Sequence, residues 1–358
     1  MEIVVLGVAL LVILLGAELF TNGIEWFGRK LELAEGAVGS VLAAVGTALP
    51  ETMIPLIAIG FGGQGETTDA VGVGAILGAP FMLSTLAMFV TGVGVLVYRR
   101  RRATGVVMPV DTKVLAHDMR YFAIAYALAV GAAFLPVTDP PVGKWVAAAI
   151  LVGIYAWYVR QHFQAEHEAD EADELAPLRL RRLDRGAYRV SPEAPRLRIV
   201  NVQVLAALGC IIAGAYVFVG AVTNLATRLG IDGALLALVV APIATELPEK
   251  FNSIIWIRQN KDTLSMGNIT GAMVFQSAIP TVVALVLAPT AWAVTGDSLI
   301  AFASAGIAFA SSAAIFVPMA RRGTLTGRHL LLGGGFYLAY LALVGLAVAG
   351  VIKLGGGA

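Results

Sequence analysis

Ten long apolar runs constrain this 358-residue chain more than any other feature. They cover about 3–24, 36–60, 70–98, 119–136, 142–160, 200–222, 233–257, 264–289, 297–319 and 330–352. Runs of roughly 18–25 residues are long enough to cross a bilayer as helices. In lipid the backbone must satisfy its own hydrogen bonds, so only helices or closed barrels can span. Barrel strands would alternate polar and apolar residues, which these runs do not. With 58% hydrophobic and 14% charged residues, the composition agrees. The expected fold is an all-α polytopic membrane protein of ten transmembrane helices. The opening Met1-Glu2-Ile3-Val4 lacks a basic leader segment, so the first run is read as a retained span.

The loops set orientation. One face collects Arg29, Lys30, Arg99 to Arg102, Lys113, Arg120, Arg160 and the arginines from 179 to 198, followed by Arg258, Lys261, Arg321, Arg322 and Arg328. The other face carries only Lys144, Arg228 and Lys353. By the positive-inside rule the basic face is cytoplasmic and both termini lie outside. The protein is expected in a cell membrane as a multi-pass chain.

Two of the runs carry the same phrase. Thr47-Ala48-Leu49-Pro50-Glu51 returns as Thr245-Glu246-Leu247-Pro248-Glu249. A shift of 198 residues registers the first two spans on the sixth and seventh, with Gly16-Ala17 on Gly214-Ala215. The third span matches the eighth at a shift of 193, with Gly74 on Gly267 and Gly78 on Gly271. Each half holds five spans, an odd number, so the second half enters from the opposite side. The expected organisation is a first inverted repeat (1–160), a cytoplasmic linker (161–198) and a second inverted repeat (199–358). The linker is read as solvated, acidic from Glu166 to Glu174 and then basic. A cation sensor in its acidic run and a lipid contact through its basic part are the sharper alternatives.

A carboxylate at membrane depth is costly and points to function. Pro50 and Pro248 lack N–H groups, so the carbonyls of Gly46 and Ala244 lose their helical donors. Freed carbonyls and two glutamates suit a cation that wants six to eight oxygens, as Ca²⁺ does. Two bare carboxylates in a dry site cannot both stay ionised, so each cycle needs a neutralising ion or protons. Glu51 and Glu249 are the expected ligands. Glu246 is placed to pair with Lys250 four residues on. Glu18, on the first span, is read as a buried hydrogen-bonding group. The glycines of 72–78 fit close helix packing better than a nucleotide loop.

No phosphate-binding loop, His-Glu-x-x-His or nucleophile elbow is present, so neither an ATP-driven pump nor a hydrolase is indicated. No cofactor, nucleotide or nucleic acid is expected, and inorganic cations and the bilayer are the expected partners.

These blocks resemble the cation/calcium exchanger superfamily, in its sodium/calcium exchanger branch. The family repeat reads Gly-Thr-Ser-x-Pro-Glu, then Gly-Asn-x-x-Gly-Ser-Asn-x-x-Asn. The resemblance implies ten helices in two inverted repeats, with outside termini and a cytoplasmic central loop. It places the calcium-binding glutamates on Glu51 and Glu249 and the coordinating threonines on Thr47 and Thr245. Asn268, Gln276 and Glu246 fall at peripheral ligand positions. Ala75, Ala79, Pro80 and Leu83 stand where the family has Asn, Ser, Asn and Asn, residues that help form its sodium sites. The implied function is secondary antiport of a divalent cation, foremost Ca²⁺, against Na⁺ or H⁺. A sodium/proton antiporter and a non-transporting sensor or scaffold on the same fold are the alternatives.

Overall fold

The computed structural model describes residues 2–30, 43–61, 66–165, 176–183, 195–231, 233–246, 253–254, 256–295 and 298–349. Helix α1 (Glu2–Lys30) and α2 (Ala43–Gly60) open the first half. The third span is α3 (Glu66–Met82), a π-helical turn over Leu83–Ala87 and α4 (Met88–Tyr98). Helices α5 (Thr112–Gly131) and α6 (Val142–Ala165) complete that half. The second half runs through α7 (Leu197–Leu229), α8 (Gly233–Thr245), α9 (Asp262–Leu287), α10 (Leu299–Arg322), α11 (Gly327–Leu330) and α12 (Leu332–Val348). The spans fall on the apolar runs read from sequence, and they form two inverted five-helix repeats.

The inversion is visible in side-chain contacts. Helices α1 and α7 pack antiparallel through their glycines. A Cβ on Gly16 would lie 2.9 Å from Ile211 Cγ1 and 3.1 Å from the Ala207 carbonyl oxygen. One on Gly214 would lie 2.7 Å from Ile13 Cγ1 and 3.1 Å from the Ala9 carbonyl oxygen. Ala9, Ile13 and Gly16 become Ala207, Ile211 and Gly214 under the 198-residue shift. The two helices therefore exchange roles about a pseudo-twofold axis. Glycine suits this approach, because an added side chain would press the facing isoleucine and its backbone.

A second pair of glycines sets α3 on α8. A Cβ on Gly74 would overlap the Ala234 carbonyl, and one on Gly78 would overlap the Leu238 carbonyl and meet Pro242. The glycine run of 72–78 is thus a packing stripe, as expected.

Loop contacts pair segments expected on one membrane face. On the basic face Arg102, at the end of the third span, binds Asp262 at the start of α9. Its Nη1 donates to Asp262 Oδ1 at 2.7 Å and to the Ile257 carbonyl at 2.8 Å. Both side chains are fully buried. Strand β1 (Val107–Met108) pairs antiparallel with β2 (Leu325–Thr326), joining the loops after the third and ninth spans. On the opposite face Lys144 Nζ donates to the Trp292 carbonyl at 2.7 Å, and Arg228 pairs with Glu2 at 3.2 Å. None of these contacts joins segments assigned to opposite faces.

Several expectations are corrected. Helix α5 begins at Thr112 rather than near 119, because Asp111 caps it: its Oδ1 accepts from Lys113 N at 2.9 Å and Val114 N at 3.2 Å. A hydropathy window misses such a polar first turn. The run 233–257 is not one helix. Helix α8 stops at Thr245 and Glu246 lies in a bend. Pro248 biases the residue before it away from helix. Glu18 is not buried: its side chain is 59% exposed and pairs with Arg179 at 2.9 Å.

Residues 176–183 of the linker stay mostly exposed, as expected, but they are docked on the helices. Asn22 and Trp26 both donate to the Ala176 carbonyl, at 3.2 and 2.9 Å. The Leu180 amide donates to Gln203 Oε1 at 2.8 Å, and Leu178 is buried against Trp26 and Val200. The segment is pinned across the basic-face ends of α1 and α7. The acidic run 166–174 lies outside the described residues.

Candidate functional site

Helix α2 brings Glu51 to the middle of its length, with Pro50 inside the helix. Its side chain is 5% exposed. Helix α2 packs between the α1–α7 pair on one side and α3 and α9 on the other. Met53, Ile54, Ile57 and Ala58 bury the same helix in the cluster that contains α1 and α7. The helix is therefore held by apolar packing while its one acidic residue sits at mid-depth.

From the other half, α8 ends at Thr245 and delivers Glu246, fully buried, whose amide donates to the Pro242 carbonyl at 3.1 Å. Glu249 and Lys250, and with them the expected Glu246–Lys250 pair, lie outside the described residues. So do the side chains of Thr47 and Thr245, although their backbones end or continue α2 and α8 as expected.

Helix α9 contributes Gln276 near its middle. Gln276 is fully buried, and both atoms of its side-chain amide lack a hydrogen-bond partner among the described residues. A buried amide left unpaired costs roughly 1–3 kcal/mol, so such a group calls for an explanation. Pro280 sits four residues on, inside α9. It removes the N–H that would close on the Gln276 carbonyl. Gln276 can therefore offer a carbonyl and an amide oxygen from one residue. The freed carbonyl was missed in the sequence, although the proline rule applied to Pro50 and Pro248 would have found it. Asn268, two turns before it on α9, is half-buried.

The third span shows the opposite chemistry. Leu83 corresponds to Gln276 under the 193-residue shift and is buried at 1% exposure. Ala75 and Ala79 are buried with it. The π-helical turn starts at Leu83, and Ser84 and Thr85 spend their hydroxyls on the Phe81 carbonyl at 3.0 and 2.6 Å. Side-chain oxygens near this position are turned back onto their own helix.

Among the described residues no three acidic, His or Cys side chains cluster as a metal centre. The described groups are few: the buried carboxylates of Glu51 and Glu246, the unpaired side-chain amide of Gln276, and the carbonyls that Pro50 and Pro280 leave without a helical donor. Carboxylate, amide and carbonyl oxygens are the donor types a hard cation takes.

The family described as "Sodium/calcium exchanger protein" matches residues 1–161 and 200–348. The chain belongs to this family. A curated relative from Alkalimonas amylolytica, named "Putative antiporter CaxA", is 23% identical over 282 residues, which is 79% of each chain. Among solved structures, the H⁺/Ca²⁺ exchanger CAX superposes with a TM-score of 0.66 at 16% identity, over 98% of this chain and 85% of that one. The sodium–calcium exchanger NCX_Mj superposes with a TM-score of 0.55 at 17% identity, over 96% of this chain and 99% of that one. At such identities these superpositions establish the fold. As a member of the exchanger family, the chain is a multi-pass membrane protein.

Proposed function

We propose that this exchanger moves a divalent cation, Ca²⁺, against Na⁺ or H⁺ by alternating access, with Glu51 and Glu249 as its principal ligands. The observation that carries the reading is Glu51, a buried carboxylate at the middle of a membrane helix, in a frame the second half repeats. Thr47 and Thr245 would add backbone or hydroxyl oxygens, and Gln276, Asn268 and Glu246 would stand at the periphery. The names of the relatives, an antiporter, an H⁺/Ca²⁺ exchanger and a sodium–calcium exchanger, support the same reading.

Of the two counter-ions, the packing of the third span favours H⁺. Ala75, Ala79 and Leu83 are buried and apolar where the resemblance places sodium ligands. A proton needs no oxygen cage, only a carboxylate that can lose its charge. The basic face is taken as cytoplasmic; a C-terminal tag reached only from the cytoplasm would reverse this orientation.

The test is Ca²⁺ flux in proteoliposomes, driven by a sodium gradient and by a pH gradient in separate runs. Glu51→Gln is expected to abolish flux while the purified protein stays monodisperse. Undiminished flux in that variant would sink the assignment. Sodium–proton exchange is the second reading, favoured by the small number of side-chain oxygens. Sodium flux that ignores added calcium would support it.

A further inference from the structure

Asp118, on α5, belongs to none of the groups assigned above. It is 1% exposed. Tyr158 of α6 donates its hydroxyl to Oδ1 at 3.0 Å, and Thr270 of α9 donates to Oδ2 at 2.5 Å. Three helices thus meet on one carboxylate. It lies six residues into α5 from the basic face, about 9 Å at 1.5 Å per residue. Gln276 stands six residues beyond Thr270 on α9, so Asp118 sits between the basic face and the candidate ion site.

The inverted repeat shows whether the fold needs this carboxylate. Gly153-Ile154-Tyr155-Ala156-Trp157-Tyr158 returns as Gly335-Phe336-Tyr337-Leu338-Ala339-Tyr340, a shift of 182. Tyr340 donates to the Ile300 carbonyl at 3.0 Å, and Ile300 is Asp118 shifted by the same 182 residues. The second half makes the same tyrosine tether on a backbone oxygen and places a buried isoleucine where the first half places an acid. Packing alone therefore does not account for Asp118.

Its surroundings accept either protonation state. Ionised, the carboxylate accepts from both hydroxyls. Protonated, its O–H would donate to Thr270 Oγ1, and the Thr270 hydroxyl would turn to the Gly267 carbonyl, already 3.4 Å away. An O–H bond of hydronium on the basic face breaks, leaving water, as the carboxyl O–H bond forms, and the reverse step returns the proton. No covalent bond to carbon changes.

We propose that Asp118 is a proton-binding positioning residue, which ties α9 to its protonation state and so couples the basic-face proton supply to the ion site. The inference rests on the cation-antiport reading and names a residue through which a proton would act. The titratable and charged neighbours among the described residues are few. On α5 they are His117, Arg120, Tyr121 and Tyr126. On α6 they are Tyr155, Tyr158 and the outward Arg160, whose guanidinium lies over Trp157. On α9 it is Asp262, held by Arg102. Helix α10 meets α5 through Phe309 and carries Arg321 and Arg322 only at its exposed end.

The experiment is difference infrared spectroscopy on the purified full chain, between about pH 5 and about pH 9, with and without CaCl₂. A carboxyl C=O band that titrates in the wild type, disappears in Asp118→Asn and changes with CaCl₂ is the expected result. Asn keeps the volume and accepts hydrogen bonds but takes no proton. Absence of an Asp118-dependent band, or a band indifferent to calcium, overturns the proposal. In proteoliposomes, wild-type Ca²⁺ flux should change about tenfold per pH unit on the limb where one proton limits it. Asp118→Asn should flatten that limb, and Asp118→Glu should restore a slope at a displaced midpoint. An unaltered pH profile in Asp118→Asn overturns the coupling. Wild-type protein with no flux under either gradient removes the antiport reading instead, and the calcium response of the infrared band still decides Asp118.

Discussion

Gly74→Ala is the sharpest test of the packing described above. An added methyl group would overlap the carbonyl oxygen, carbonyl carbon and Cα of Ala234. All three are backbone atoms, so no rotamer change relieves the overlap and α3 must move off α8 by about 1 Å. A gap of that size forfeits a quarter to a half of the dispersion energy along the seam. Val73, Ile76 and Leu77 share a buried cluster with Leu235 and Leu238 there. Overpacking of this kind costs roughly 1–3 kcal/mol, and a backbone clash belongs at the upper end. A cost of about 3 kcal/mol would lower the melting temperature by roughly 4 °C for a chain of this length. Gly267 is the repeat equivalent of Gly74, and a Cβ there meets nothing within 4 Å. Gly267→Ala should therefore match or slightly exceed wild type, since alanine favours helix by up to about 1 kcal/mol. Thermal melts of the three proteins in one detergent decide the matter. Equal melting temperatures for the two variants would refute the claim that α3–α8 contact depends on a missing side chain at Gly74.

Other outcomes follow from single contacts. Gln276→Leu should leave thermal stability unchanged or raise it by about 1 kcal/mol, because an unpaired buried amide is removed, yet it should weaken calcium binding; a destabilised variant with full flux would contradict both halves. Asp262→Ala should strand a buried guanidinium and cost roughly 3–5 kcal/mol, and Arg102→Met combined with Asp262→Leu should recover much of it; additive losses in denaturation would argue against a coupled pair. Lys144 Nζ also donates to the Pro289 carbonyl, so Lys144→Met should cost about 1–3 kcal/mol through the orphaned Pro289 and Trp292 carbonyls; a melt identical to wild type would contradict this. Loosening the 176–183 strap with Trp26→Phe, which removes one of the two donors to the Ala176 carbonyl, should speed limited proteolysis of the linker; cleavage at the wild-type rate would contradict a strap held through Trp26.

The apolar runs, the lopsided arginines and the paired Thr-x-x-Pro-Glu phrases made ten spans and an inverted repeat readable in the chain alone. Lipid offers the backbone no hydrogen bonds, so run length by itself dictates helix. A carboxylate such as Glu51 stands out for the same reason. The tertiary structure decided what depends on neighbours. Glu18 was read as buried because its span is apolar, but only the packing of α1 shows which of its faces is covered. The unpaired amide of Gln276 and the two hydroxyls on Asp118 are properties of three helices at once, and no local pattern encodes them. The reciprocal contact of Gly16 and Gly214 lies between these cases: its residues repeat in the sequence, but their meeting required α1 and α7 to fold against each other in opposite directions.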